Sequence, residues 1–218
     1  MFADVEAVIF DFDYTLADSS PGVIECVNFA FGRLGLRPAS PESIRKTIGM
    51  SLSDTLEALA GPEHAALSDE FYRLFVQRAD EVMVESTRLY EHVPAAVHEV
   101  KSVGLSLGIV SSKYRRRIEA TLGAADLLES FDVIVGGEDV QDIKPSPVGL
   151  LRAVERLTGS VDAALYVGDS TTDAETARRA GVRFVVVLSG VTPREEFALF
   201  PVAAVLADVS ELPQCLGR

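Results

Sequence analysis

The chain has 218 residues, 48% of them hydrophobic, and carries 33 acidic against 20 basic side chains, a formal net charge of −13. That is enough apolar material for one large or two smaller cores. The acidic balance argues against nonspecific binding to nucleic acid or anionic membrane, and any anionic substrate must be met by local positive charge. No run approaches the ~18 apolar residues of a membrane span, the N-terminus lacks the basic region of a signal peptide, and Cys26 and Cys215 stand alone, so a reduced, cytoplasmic protein is expected.

The first apolar run, residues 7–10, leads into Asp11 and Asp13. Side chains alternate along an extended strand, so carboxylates two residues apart face the same way. They repel, and a hard cation such as Mg²⁺ is the simplest species to neutralise them. Residues 16–88 then read as helical throughout. Ser20 as N-cap with Pro21 at the first helical position starts a helix; Val23, Val27, Ala30 and Leu34 recur at helical spacing, and Gly35 stops it. Ser40-Pro41 repeats the start signal. Ser51 through Asp54 resembles a capping box ahead of Leu52, Leu56 and Leu59. Phe71, Leu74, Phe75, Arg78 and Val82 continue a longer helix.

From Leu89 the texture changes. Nearly continuous apolar runs at 105–110, 131–135, 163–167 and 184–188 alternate with amphipathic stretches near 115–122, 148–157 and 172–180, and Pro94 opens a further helix. Strands buried on both faces read this way. The pattern predicts an α/β fold: a doubly wound, Rossmann-like parallel sheet made by residues 1–15 and 89–218, with residues 16–88 inserted as an all-helical cap. Residues 203–206 would add an edge strand.

In such a sheet the residues after each strand converge on the crevice at the carboxyl edge. These are Asp11, Asp13 and Thr15; Ser111, Ser112 and Lys113; Asp142 through Lys144 and Pro145; and Asp169 through Asp173. A nucleophile, hydroxyl donors, a cation and further carboxylates in one cleft suit phosphoryl transfer, which needs charge stabilisation and positioning above all else.

The runs Phe10-Asp-Phe-Asp-Tyr-Thr-Leu16, Val110-Ser-Ser-Lys113, Ile143-Lys-Pro145 and Gly168-Asp-Ser-Thr-Thr-Asp173 resemble, in order, the four motifs of the haloacid dehalogenase superfamily. The helical block lies where that family's small helical cap is inserted. Ile48-Gly49 followed by Ser51-Leu52, and the segment 136–147, look like its phosphoglycolate phosphatase branch. The resemblance implies that Asp11 attacks phosphorus and becomes an aspartyl phosphate. It implies that Asp13 protonates the leaving oxygen and then activates water. Mg²⁺ would be held by the Asp11 and Asp169 carboxylates and the Asp13 backbone carbonyl, with Asp173 supporting the metal or orienting Lys144. Ser111 and Ser112, with Lys144, would bind the phosphoryl group, and backbone N–H groups of residues 12–15 would add donors. One position departs: Tyr14 stands where the family has Gly, which tolerates unusual backbone angles, and its ring is expected near the cap entrance, where it would influence substrate size.

Other charged residues read two ways. Lys113 with Arg115–Arg117 could draw in phosphate, but charge runs are more often solvated helix faces. Arg45 and Lys46 are either a solvated helix end or the readers of an anionic leaving group. Glu138, Asp139 and Asp142 read as turn residues. The expectation is a Mg²⁺-dependent phosphatase acting on a small phosphomonoester, phosphoglycolate-type first, without nucleic-acid or membrane partners, as a monomer or homodimer. An inorganic pyrophosphatase and a sugar-phosphate mutase are alternatives. A silent binding module on the same fold would have lost a motif residue, and Asp11, Asp13, Ser111, Lys144 and Asp169 are all in place.

Overall fold

The structure, a computed structural model, describes residues 2–216. The chain divides into two compact units, Met1–Ala17 with Leu89–Arg218, and Asp18–Arg88.

The first unit is built on a six-stranded sheet. In spatial order its strands are Val133–Val135, Ser106–Val110, Ala7–Phe10, Ala164–Gly168, Arg183–Val187 and Val202–Leu206. Every neighbouring pair is parallel. Alternation sends Val8, Phe10, Leu107, Ile109, Leu165 and Val167 into one buried cluster, while Ile9, Tyr166, Phe184 and Val186 enter the other. Both faces are therefore apolar, which is why these runs lack the polar alternation of a half-exposed strand. Helices such as Val93–Ser102 and Val148–Leu157 supply the covering layers.

The strand order runs outward from Ala7–Phe10 in both directions, so the topological switch lies between it and Ala164–Gly168. That is where open α/β sheets bind ligands. Register fixes the two strand ends side by side: Phe10 pairs with Val167, and the Asp11 N–H donates to the Val167 carbonyl at 2.8 Å. The expected strand at 131–135 begins later, at Val133. Just before it, the Asp132 N–H donates to the Leu107 carbonyl at 2.8 Å, and its carboxylate accepts from the Leu107 N–H at 2.8 Å and from Lys101 Nζ at 2.6 Å.

The second unit packs Ser20–Arg33, Leu52–Ala60 and Ser68–Ser86 around Val27, Phe31, Leu56, Phe71 and Phe75. Ser40 and Ser51 cap their helices as expected, accepting from the Ser43 and Asp54 N–H groups. The first helix differs. Its N-cap position is Ser19, which makes no side-chain cap bond. Asp18 does that work, accepting from the Ser20 N–H at 2.8 Å, because a carboxylate is the stronger acceptor beside the positive end of a helix. The block is also not helical to its ends: Ala17–Asp18 and Arg88–Leu89 pair as two short strands. Among the described residues no helix is long and apolar enough to cross a membrane, and neither Cys26 nor Cys215 is in a disulfide.

Candidate active site

The carboxyl edge of the central strands gathers a buried ionic cluster. Lys144 Nζ lies 2.7 Å from Asp11 Oδ1 and 2.7 Å from Asp173 Oδ1, and all three side chains are almost fully buried. Buried charge is tolerated only when paired and hydrogen-bonded. Tyr166 helps to meet that requirement: its hydroxyl lies 2.9 Å from Asp173 Oδ1 and 3.2 Å from the Val110 carbonyl, and it accepts from Lys144 at 3.3 Å. The second Asp173 oxygen accepts from the Ser170 N–H and hydroxyl, while the Ser170 side chain caps the helix Thr171–Ala180 by accepting from the Asp173 N–H. Both Asp173 oxygens are thus committed to protein donors. Gly168 makes this possible, since a Cβ there would meet the Asp173 carboxyl at 2.6 Å.

Asp169 sits across the switch point from Asp11. Its Oδ1 accepts from Thr15 Oγ1 at 3.1 Å, and its Oδ2 lies so close to Gly190 that a Cβ there would approach it to 1.9 Å. The neighbouring Ser189 hydroxyl donates to the Tyr14 carbonyl at 2.6 Å. Tyr14 has φ +63°, the left-handed angle that Gly adopts without a Cβ penalty. Its side chain is buried.

Asp13 does not share a counterion with Asp11. The strand Ala7–Phe10 ends before both aspartates, and the Asp13 carboxylate faces Lys113, whose Nζ lies 2.9 Å and 3.2 Å from its two oxygens. Each aspartate therefore has a lysine of its own within hydrogen-bonding distance. Lys113 is likewise not part of a solvated basic run. Nor is Arg117, which is buried, stacks its guanidinium 4.8 Å from the Tyr114 ring centre and departs from the solvated-face reading. Arg115 is engaged by Asp139, Glu119 and the Glu138 carboxylate, which accepts from its N–H.

Ser111 is buried beside these groups, its N–H donating to Val135 and its hydroxyl accepting from the Lys113 N–H at 3.3 Å. Ser112 is half-buried. Of the backbone donors expected at residues 12–15, that of Tyr14 is taken by the Ala17 carbonyl at 2.7 Å. Arg45 belongs to the helical unit, where it ends the short helix Pro41–Arg45 and is exposed; Lys46 pairs with Glu42.

Electrostatics sharpen the picture. Burial pushes the Asp11 carboxyl up to about 7; Lys144 pulls it back, while Asp173 and Asp13 oppose that pull. Asp169 is also held well above the usual carboxylate range, by burial and then by Asp173 and Asp11. Burial disfavours the Lys144 ammonium, yet Asp11 and Asp173 outweigh it and raise its pKa. One lysine is too little positive charge for three carboxylates. Oxygens of Asp11, Asp169 and Asp173 lie within 4.8 Å of one another, and Asp11 Oδ1 is buried without a well-directed hydrogen bond. Hard oxygen donors with uncompensated charge fit a small divalent cation.

These are the parts of an α/β enzyme that works at the carboxyl edge of its sheet, and the chain belongs to the haloacid dehalogenase-like hydrolases, whose family model matches residues 8–187. A phosphoglycolate phosphatase of Shigella boydii is 32% identical over 99% of this chain and 94% of its own length. A solved structure from Bacteroides fragilis, assigned to the haloacid dehalogenase-like hydrolases, superposes with a TM-score of 0.91 at 38% identity, covering 95% of this chain and 99% of that one. Another from Lactobacillus plantarum, assigned as a phosphoglycolate phosphatase, gives 0.85 at 26% identity, over 98% and 99%.

Sequence reasoning missed Tyr166, Ser189 and Gly190. Tyr166 reads as one more apolar strand residue, although a phenol on a strand buried on both faces must find a partner. Nothing local marks Ser189 or Gly190, whose partners are distant in sequence.

Proposed function

We propose that this protein is a Mg²⁺-dependent phosphatase that hydrolyses a small phosphomonoester, with phosphoglycolate-type substrates first. The observation that carries the reading is the Asp11–Lys144–Asp173 cluster beside Asp169. It supplies a buried carboxylate nucleophile, a fixed cation and a set of hard oxygen donors at one strand edge. The relatives named as phosphoglycolate phosphatases support the substrate class.

Asp11 attacks phosphorus, forming an O–P bond as the bond to the leaving oxygen breaks. Asp13 gives a proton to that oxygen, then takes one from the water that hydrolyses the aspartyl phosphate. Ser111, Ser112 and Lys144 bind the phosphoryl oxygens, Lys144 while still held by Asp173. Asp11, Asp169 and the Asp13 carbonyl would hold Mg²⁺, which when bound supplies charge neutralisation of the phosphoryl group and keeps Asp11 ionised. Residues 16–88 serve as the substrate cap, with Arg45 reading the leaving group and Tyr14 limiting substrate size. Lone Cys26 and Cys215 support a reducing, cytoplasmic setting, and the acidic balance supports a monomer or homodimer without nucleic-acid partners.

The test is a panel of phosphate esters, sugar phosphates and pyrophosphate, assayed with Mg²⁺ and with chelator, for the wild type and Asp11→Asn. Metal-dependent hydrolysis of a phosphomonoester that disappears in Asp11→Asn is expected. Preferential pyrophosphate cleavage, phosphoryl migration on a sugar phosphate, or full activity in chelator would each overturn the reading.

A further inference from the structure

Lys113 is a buried cation that takes no part in the proposed mechanism. Its side chain is 5% exposed and that of Asp13 is 13%. The ammonium meets both oxygens of one carboxylate, at 2.9 Å and 3.2 Å, and lies 5.9 Å from the centre of the Phe12 ring. The backbone of Lys113 is itself held at both ends. Its N–H donates to Ser111 Oγ at 3.3 Å, and its carbonyl accepts from the Gly137 N–H at 3.0 Å. Gly137 has to be a glycine for this approach, because a Cβ there would stand 2.4 Å from the Ser112 carbonyl oxygen.

Asp13 lies past the hydrogen-bonded end of its strand, so the sheet does not dictate where its carboxylate points. A side chain that must pass a proton to one oxygen and then take one from a water needs its direction set to within a fraction of an ångström. We infer that Lys113 is the positioning residue of Asp13: it clamps both carboxylate oxygens and ties the loop after the first strand to the loop after Ser106–Val110. This role rests on the phosphatase reading, in which Asp13 is the general acid and base. The buried ammonium points to Asp13, and both of its hydrogen bonds end there, so it is not assigned to the phosphoryl group.

A double-mutant cycle tests the role. Lys113→Met, Lys113→Arg, Asp13→Asn and the Lys113→Met/Asp13→Asn pair are assayed with an aryl phosphate and an alkyl phosphomonoester. Lys113→Met should lower kcat for the alkyl ester by roughly 10- to 100-fold, part of what a general acid–base contributes, with KM little changed. The aryl ester, whose leaving group needs less protonation, should lose less. Lys113→Arg, which keeps the charge and guards against misfolding of the Met variant, should recover part of the rate. On the Asp13→Asn background Lys113→Met should cost no more than about twofold, since residues that act through one another are non-additive.

A readout independent of turnover is available because the chain has only four lysines, Lys46, Lys101, Lys113 and Lys144. In protein labelled at the lysine ε-carbon, Asp13→Asn should shift the Lys113 signal and leave those of Lys46 and Lys101 in place. Equal losses on both backgrounds, an effect confined to KM, or an unmoved Lys113 signal would overturn the positioning role while the phosphatase reading stands. A wild type inactive on every phosphoester would overturn both.

Discussion

The Ser189 hydroxyl donates a 2.6 Å hydrogen bond to the carbonyl of Tyr14. It reaches from the loop after Arg183–Val187 to the turn that follows Asp11 and Asp13. Tyr14 is held there at φ +63°, an angle that costs a non-glycine residue on the order of 1 kcal/mol or more. The bond is one of the contacts that keep this turn in place. Ser189→Ala should therefore destabilise the fold by about 1 kcal/mol and lower kcat more than KM. Denaturant unfolding together with steady-state kinetics checks both, and an unchanged kcat would remove Ser189 from any part in shaping the turn.

Gly190 is required by its neighbour. A Cβ at this position would lie 1.9 Å from Asp169 Oδ2, so Gly190→Ala must displace the carboxylate or the loop. The expected result is a loss of Mg²⁺ affinity of roughly 10- to 100-fold, the cost typical of disturbing the groups that orient a metal ligand. Calorimetric titration with Mg²⁺ measures this directly, and circular dichroism should show the fold retained. Wild-type affinity in Gly190→Ala would mean that Asp169 does not bind the ion.

The raised Asp11 pKa has a sign that can be followed in stability. The folded protein binds the Asp11 proton more tightly than the unfolded chain does, since burial lifts the group from 3.8 to about 7. Stability from this source is fully present below the ordinary carboxylate value and is lost as pH rises through about 7. Asp169 shifts in the same direction. In chelator, Tm should fall as pH rises across this window. Excess Mg²⁺ binds the ionised form, so its stabilisation should be larger near pH 8 than near pH 5. Asp11→Asn should flatten the metal-free decline. Thermal unfolding with and without Mg²⁺ checks each point, and a Mg²⁺ effect independent of pH would argue against carboxylate ligands.

Substrate discrimination must come from contacts beyond the phosphoryl group, because the catalytic groups treat every phosphoryl group alike. Arg45 is exposed and carries a guanidinium that can bind a carboxylate through two hydrogen bonds. Arg45→Ala should lower kcat/KM for a carboxylate-bearing phosphoester and scarcely affect a neutral aryl phosphate. Equal effects on both, or none on either, would return Arg45 to a solvated helix end.

Much of this was legible locally. The strand Ala7–Phe10 and the caps at Ser40 and Ser51 follow from patterns a few residues long, and the structure places them where those patterns indicate. Where the sequence reading went astray, a longer-range competitor had intervened. Asp18 displaced Ser20 in capping the first helix, and the Asp132 carboxylate reaches across to the Leu107 N–H and to Lys101, partners that lie 25 and 31 residues away.

The alternation of apolar runs and helices by itself determined a parallel sheet, and the strand-end residues by themselves pointed to phosphoryl chemistry, because periodicity and strand polarity are properties of consecutive residues. Which cation serves which carboxylate was decided only in three dimensions. Lys144 is 133 positions from Asp11, and Lys113 is 100 from Asp13. The sequence offers both lysines to both aspartates, and the turn after Phe10 separates the two carboxylates so that each meets its own. The Ser189 bond to Tyr14 and the space left by Gly190 for Asp169 likewise depend on the order in which the strands lie side by side. Hydrogen bonding and close contact act over a few ångströms, and only the folded chain brings such distant residues within that range.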